Sequence, residues 1–316
     1  MLLFIATIAL LVGGFLALVA RGNPLRALLS IASQALASTL VLTAAVPVLF
    51  GAAPLEALLP WPPPLGDVRL QVEALDAFFL CFSLPMTLLG SIYALGYLEP
   101  YMKSKRHVGA HFALLNLTSL AFIIIYTVEN SYAFLLGWEL AALAAWLLVI
   151  WDHGNQKIRF AGFNYLVSTH IGFLLLVAAF IVGGNHMQSN DLSAVGAFLQ
   201  EDTFLRDITF VVLMTSFGFK SAFFPFHTWL PRAHSAAPAH VSALMSGVIH
   251  KAGIFGMIKF TAMIGEPPAW MGWYVITFSI ASAVMGVLYT VSQRDIKRML
   301  GYSSTENVGI IGIGLG

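Results

Sequence analysis

The chain has 316 residues, of which 59% are hydrophobic and 10% charged, with 16 Lys and Arg against 15 Asp and Glu and a formal net charge of +1. A mean hydropathy of +0.84 is more than a soluble domain of this length carries on its surface, so lipid is the solvent. The balanced charge excludes nucleic acid and strongly acidic partners, and the single cysteine, Cys81, excludes an internal disulfide or a CxxC site.

Residues 1–20 lack the basic start of a signal peptide and are apolar for about the length of a full span, which predicts a retained first helix. Further apolar runs of near-membrane length follow at 27–50, 73–98, 111–128, 131–151, 158–183, 205–226, 239–264, 270–292 and from about 300 onward. Only helices or closed barrels satisfy the backbone in lipid, and continuous runs of roughly 20 residues are helical. The expected fold class is an all-α, polytopic transmembrane helix bundle of about ten helices, with turns at Gly22–Pro24, Pro60–Pro64 and Glu266–Pro268.

Loop charges set the expected orientation. The odd-numbered loops hold Arg21, Arg26, Lys103, Lys105, Arg106, Lys157, Arg159, Arg232, Arg294, Lys297 and Arg298, whereas the even-numbered loops hold only Arg69 and Arg206. Positive charge stays on the cytoplasmic side, which predicts a cell-membrane protein with its N-terminus outside. Three lysines remain: Lys220, Lys251 and Lys259. Lys259 lies about one turn from its helix end, where its stem can carry the ammonium to the interface. Lys220 and Lys251 lie deeper, as does Glu139 in GWELAALAAWLLV. A charge at bilayer depth costs roughly 2.5–3.5 kcal/mol on insertion scales, so such residues mark ion or proton pathways.

Burial lowers the pKa of a lysine and raises that of a carboxylate, and a neighbouring opposite charge restores both charged forms. Proton binding at Lys220 therefore depends on its separation from Glu139, as a proton carrier requires. A static ion pair that fixes helix packing is the other reading of the same residues. Pro225 removes a backbone hydrogen bond a few residues after Lys220 and predicts a broken helix, a device that lines wet cavities at membrane depth. His227, His234, His240 and His250 follow. Histidine exchanges protons near neutral pH, and this spacing fits no zinc motif, so neither a metal nor a cofactor is expected in the chain. His250 and Lys251 point about 100° apart on a helix. No two helices offer a convincing pair of deep histidines for a haem.

Four segments carry a resemblance: GWEL around Glu139, KSAFFPFHTWLPRAHSAAPAHVSALM from Lys220, GVIHKAGIFG around Lys251, and RDIKRMLGYSSTENVGII near the end. Together, in order over residues 75–316, they resemble the proton-translocating antiporter-like subunits of respiratory complex I, Mrp-type sodium/proton antiporters and group 4 hydrogenases. YSSTENVGII and YLVSTHIG, with His170, are most similar to the hydrogenase-4 and formate hydrogenlyase subunits. The resemblance implies that Glu139 is the fifth-helix glutamate, Lys220 the lysine of a broken seventh helix and Lys251 the central lysine of the eighth. It makes His250 a plausible relay and gives His227, His240 and His170 lesser relay roles.

The resemblance also implies a division into N-terminal helices (1–106), a first five-helix proton-channel repeat (107–264) and the start of a second, inverted repeat (265–316). A chain that stops at Gly316 inside an apolar span reads as a fragment. The implied protein has no catalytic site or cofactor of its own. It conducts protons in the bacterial inner membrane as a subunit of an oxidoreductase complex, beside other membrane subunits and a soluble redox module. Two other readings stay open: a stand-alone cation/proton antiporter, for which Asn164, Ser168 and Thr169 are the oxygen-rich candidates, and a non-conducting anchor for a redox module.

Overall fold

A computed structural model describes residues 1–60, 67–103 and 107–316. Its helices, in chain order, are α1 (Leu2–Val19), α2 (Asn23–Leu49), α3 (Ala74–Tyr97), α4 (Glu99–Lys103), α5 (Gly109–Thr127), α6 (Ser131–Val149) and α7 (Gln156–Met187). They continue with α8 (Leu192–Leu199), α9 (Phe204–Ser221), α10 (Trp229–Ala236), α11 (Ala239–Leu244), α12 (Lys251–Ile264), α13 (Ala269–Ser292) and α14 (Ile296–Leu315). Among the described residues nine segments are long and apolar enough to cross a membrane: α1, α2, α3, α5, α6, α7, α9 with α10, α11 with α12, and α13. The protein is a polytopic helical membrane protein, as the composition demands. The tenth apolar run also folds as a helix, α14, although Lys297, Arg298 and Glu306 make it more polar than the other nine.

Polar caps fix several helix ends. The Asn155 side chain accepts from the Lys157 amide to start α7, Thr203 accepts from Arg206 to start α9, and Asp295 accepts from Arg298 to start α14. Glu73 and Asp76 form a reciprocal capping box at the start of α3. Between α1 and α2 the chain turns through Gly22 at φ +91°, a backbone region open to glycine at no steric cost.

One segment departs from the helical expectation. Residues between α2 and α3 form an antiparallel hairpin of β1 (Leu55–Leu59) and β2 (Val68–Val72), paired from Leu55↔Val72 to Leu59↔Val68. The turn expected at Pro60–Pro64 lies, beyond Pro60, outside the described residues, as do Lys105 and Arg106.

The chain divides into two compact units. Unit 1 comprises Met1–Glu129, Leu136–Trp151 and Pro238–Val248, and unit 2 comprises Asn130–Leu135, Asp152–Ala237 and Ile249–Gly316. Unit 1 is pinned by Asn116 of α5. Its Oδ1 accepts from Ser30 Oγ (2.7 Å) and Gln34 Nε2 (2.8 Å) of α2, and its Nδ2 donates to Ser33 Oγ (2.8 Å) and to the Leu10 carbonyl of α1 (3.1 Å). One amide thus uses both ends to join three helices. Asn116→Leu keeps the volume but strips Gln34 of this acceptor. The expected loss is about 1–3 kcal/mol, read as a lower melting temperature in detergent.

Candidate functional site

In unit 2 the expected break occurs, with different boundaries. Helix α9 ends at Ser221, not at 226. Ala222 turns left-handed at φ +60°, residues Phe226–Thr228 make one 3₁₀ turn, and α10 resumes at Trp229. Three hydrogen bonds take up backbone groups at the break. The Phe223 amide donates to the Gly218 carbonyl (2.9 Å), the Phe224 amide to Ser282 Oγ of α13 (2.8 Å), and Trp229 Nε1 to the Phe219 carbonyl (2.9 Å). A break at this depth survives only with such partners. Beside it lies a cavity of about 20 Å³ bordered by Thr215, Gly218, Phe226 and Tyr274, about the space of one water. Thr215 Oγ1 and Tyr274 Oη are 2.8 Å apart there.

Lys220 sits in the last turn of α9 and is 2% exposed. The C-terminal end of a helix carries a partial negative charge, so ending α9 at Ser221 puts a favourable dipole beside a buried ammonium. Lys251 is half-buried at the first position of α12, directly after the buried His250. Helices α9 and α12 meet backbone to backbone: a Cβ added at Gly253 would lie 2.1 Å from Ser221 Oγ and 2.6 Å from the Phe217 carbonyl oxygen. Lys220 is thus next in sequence to one contact residue, and Lys251 is two positions from the other.

Immediately before His250 the helix widens into a π turn over Met245–Ile249. Such turns are rare and cluster at functional sites. Sequence periodicity does not report one, because a single extra residue leaves the apolar pattern readable.

The remaining candidates in unit 2 fall into different settings. His227 is buried among Phe224, Tyr289 and Tyr302, with ring centroids 5.4, 5.8 and 6.0 Å away. His234 is also buried, in α10. His170 places Nδ1 3.0 Å from the Leu166 carbonyl of its own helix. Thr169, a candidate sodium ligand, donates its hydroxyl to the carbonyls of Tyr165 (3.0 Å) and Leu166 (3.1 Å), again within α7, beside half-buried Asn164 and Ser168. Lys259 is covered by its own chain. It is buried in α12 with its ammonium 5.5 Å from the Phe255 ring centroid, a cation–π distance.

In unit 1, Glu139 is half-buried on α6, next to buried Trp138. His240 is buried at the start of α11 and its Nε2 lies 2.6 Å from Nε2 of His111 on α5, which is also buried. Trp151 packs edge-on to His111 and Tyr97 edge-on to His240. Deep histidines of two helices thus bond directly to each other. At 2.6 Å the two nitrogens share a hydrogen bond; a metal bound to both at about 2.0–2.1 Å each would hold them more than about 3 Å apart. His111 escaped sequence reasoning because a lone histidine at the head of an apolar helix carries no spacing signal.

A membrane bundle with a buried lysine at a helix break and further buried basic side chains belongs among the polytopic membrane proteins that keep ionisable groups inside the bundle. The model of the NADH:quinone oxidoreductase/Mrp antiporter transmembrane family matches residues 129–316, and the chain belongs to this family of antiporter-like membrane subunits. It is 34% identical over 255 residues to hydrogenase-4 component B of Escherichia coli, covering 79% of this chain and 37% of that protein. It is 31% identical over 265 residues to the "Putative antiporter subunit mnhA2" of Staphylococcus aureus, covering 81% of this chain and 32% of that one. The chain therefore spans less than two-fifths of these relatives.

Among solved structures, the fold matches a chain of the membrane-bound sulfane sulfur reductase, an archaeal respiratory membrane complex. That match has a TM-score of 0.87 and 21% identity over all of this chain and 51% of that one. It also matches a chain of the Mrp complex from Dietzia sp. DQ12-45-1b, with a TM-score of 0.86 and 16% identity over 99% of this chain and 58% of that one. At such identities the likeness is one of fold.

Proposed function

We propose that the chain conducts protons as a membrane subunit of a redox-driven respiratory complex of the hydrogenase or NADH:quinone oxidoreductase type. Its place is the bacterial inner membrane, with the N-terminus outside and the basic loops in the cytoplasm. The observation that carries this reading is Lys220, buried at the end of α9 where the helix breaks. Its ammonium is the entry site, His250 and Lys251 take the proton onward, and the family resemblance makes Glu139 the modulating carboxylate of the path. No covalent chemistry is required. The redox reaction belongs to partner subunits, and the hydrogenase-4 relative supports partners of that kind.

The name of the Staphylococcus aureus relative favours a second reading, a cation/proton antiporter. The Thr169 hydroxyl donates its proton within its own helix, which leaves the oxygen lone pairs open to a cation, so ion-flux measurements decide between the two readings.

Glu139→Gln tests the proposal. In vesicles containing the intact complex, the variant is expected to assemble normally and to lose most proton translocation per redox turnover. Pumping at the wild-type ratio sinks the proton path and leaves the anchor reading. Sodium-driven pH changes without redox turnover decide for the antiporter.

A further inference from the structure

A second feature of unit 2 lies away from the buried charges. The start of α7, the face of α10 and the start of α14 enclose an open cavity of about 440 Å³. Three cations line it, one from each element: Lys157, Arg232 and Arg298. Among the described residues none of the three pairs with a carboxylate, whereas neighbouring Arg159 is tied to the carbonyls of His153 and Gly154. Asn155, the cap of α7, and Ser235 add polar groups, and the cap places the positive end of a 32-residue helix at the cavity wall. The acidic group nearby is Asp295, whose carboxylate already accepts the Arg298 amide (2.8 Å) and faces Ser235 Oγ (3.4 Å).

The cavity opens onto apolar surface. Arg232 lies 5.7 Å from the Phe160 ring centroid. From Phe160 a stripe runs along α7 through Phe163, Val167, Ile171 and Leu174, each 40–64% exposed. The spacing of three and four residues keeps all five on one helix face. Fourteen residues of helix span about 21 Å, more than the ~15 Å depth of one leaflet's hydrocarbon.

We infer that this surface is a binding site for an anionic phospholipid, its phosphate held by Lys157, Arg232 and Arg298 and one acyl chain laid along the α7 stripe. Basic pockets between transmembrane helices recognise such headgroups. An acidic protein segment arriving from the water would use the cations but not the stripe, so the lipid fits better.

The test is photo-crosslinking of the intact complex in vesicles doped with a phosphatidylglycerol that carries a photoreactive acyl chain. Adducts are expected on α7 between Phe160 and Leu174. Excess unlabelled phosphatidylglycerol should displace them, and phosphatidylcholine or inorganic phosphate should not. Arg232→Gln with Arg298→Gln is expected to lower the yield about 30-fold, since each cation near a membrane surface contributes about fivefold. Should that variant not assemble, Lys157→Gln alone decides, with about fivefold expected. Arg294→Gln, which removes a basic residue outside the cavity lining, should change nothing.

Equal labelling by phosphatidylcholine, or an unchanged yield in the cavity variants, overturns the site. Equal loss in Arg294→Gln reduces it to diffuse surface charge. Displacement by inorganic phosphate makes it a free-anion site. Absence of adducts with a protein crosslinked to α7 in their place assigns the face to a partner subunit.

Discussion

Lys220→Met is expected to abolish proton translocation by the intact complex while the protein still inserts and assembles. Methionine has nearly the length and apolar bulk of the lysine stem, so the packing around this 2% exposed residue changes little. The protonatable nitrogen is gone, and with it the entry site. A static ion pair predicts a different pattern: removing one partner of a buried pair costs about 3–5 kcal/mol, so loss of assembly would dominate.

Lys220→Arg separates the two readings further. Arginine keeps the positive charge and the helix-end electrostatics but does not give up its proton at any accessible pH. Under the proton-carrier reading Arg fails as Met does. Under the packing reading Arg restores assembly and everything that follows from it. Vesicle acidification per redox turnover, measured beside the yield of assembled complex for both variants, distinguishes them, and full pumping by Lys220→Arg ends the carrier assignment.

The parts of this site that could be read along the chain are those with a local cause. Nine apolar runs become nine spanning segments because length and hydropathy are sufficient to specify them. The break after Lys220 was legible from Pro225, since a missing amide cannot be hidden. Its true start, at Ala222, was not, because nothing in an alanine announces a left-handed φ. The groups that make the break affordable come from further along the chain. Ser282 reaches the Phe224 amide from 58 residues away, and Trp229 returns to the Phe219 carbonyl across the gap itself. Long-range hydrogen bonds of this kind leave no periodic trace. The same holds for His111 and His240, 129 residues apart in the chain and 2.6 Å apart in space. Lys259 shows what a position along a helix leaves out. Its distance from the helix end argues for an interfacial ammonium, and the aromatic ring one turn earlier, 5.5 Å away, is a neighbour that argument does not supply. The hairpin between α2 and α3 was missed because a proline-rich stretch between two spans reads as a linker.

Gly253→Val is expected to separate α9 from α12 and to cost most of the assembled protein. The neighbours of the missing Cβ are the Phe217 carbonyl oxygen at 2.6 Å and the Ser221 amide nitrogen at 2.9 Å, both backbone, with Ser221 Oγ at 2.1 Å. A side chain can rotate out of the way, but a helix backbone cannot, so relief requires moving one helix against the other. Overpacking ordinarily costs about 1–3 kcal/mol, and a clash with backbone belongs at or above the top of that range. Gly253→Ala already introduces the clash, and the branched valine adds two methyl groups to it. Gly96→Ala on α3 provides the contrast. Among the described residues nothing lies within 4 Å of its added Cβ, and alanine in an exposed helix is favoured over glycine by about 0.5–1 kcal/mol. Melting in detergent should therefore fall steeply for the substitutions at Gly253 and hold or rise at Gly96. Small residues let transmembrane helices approach closely, as Gly253 does here. Equal melting of Gly253→Val and wild type would show that the two helices do not meet at this glycine.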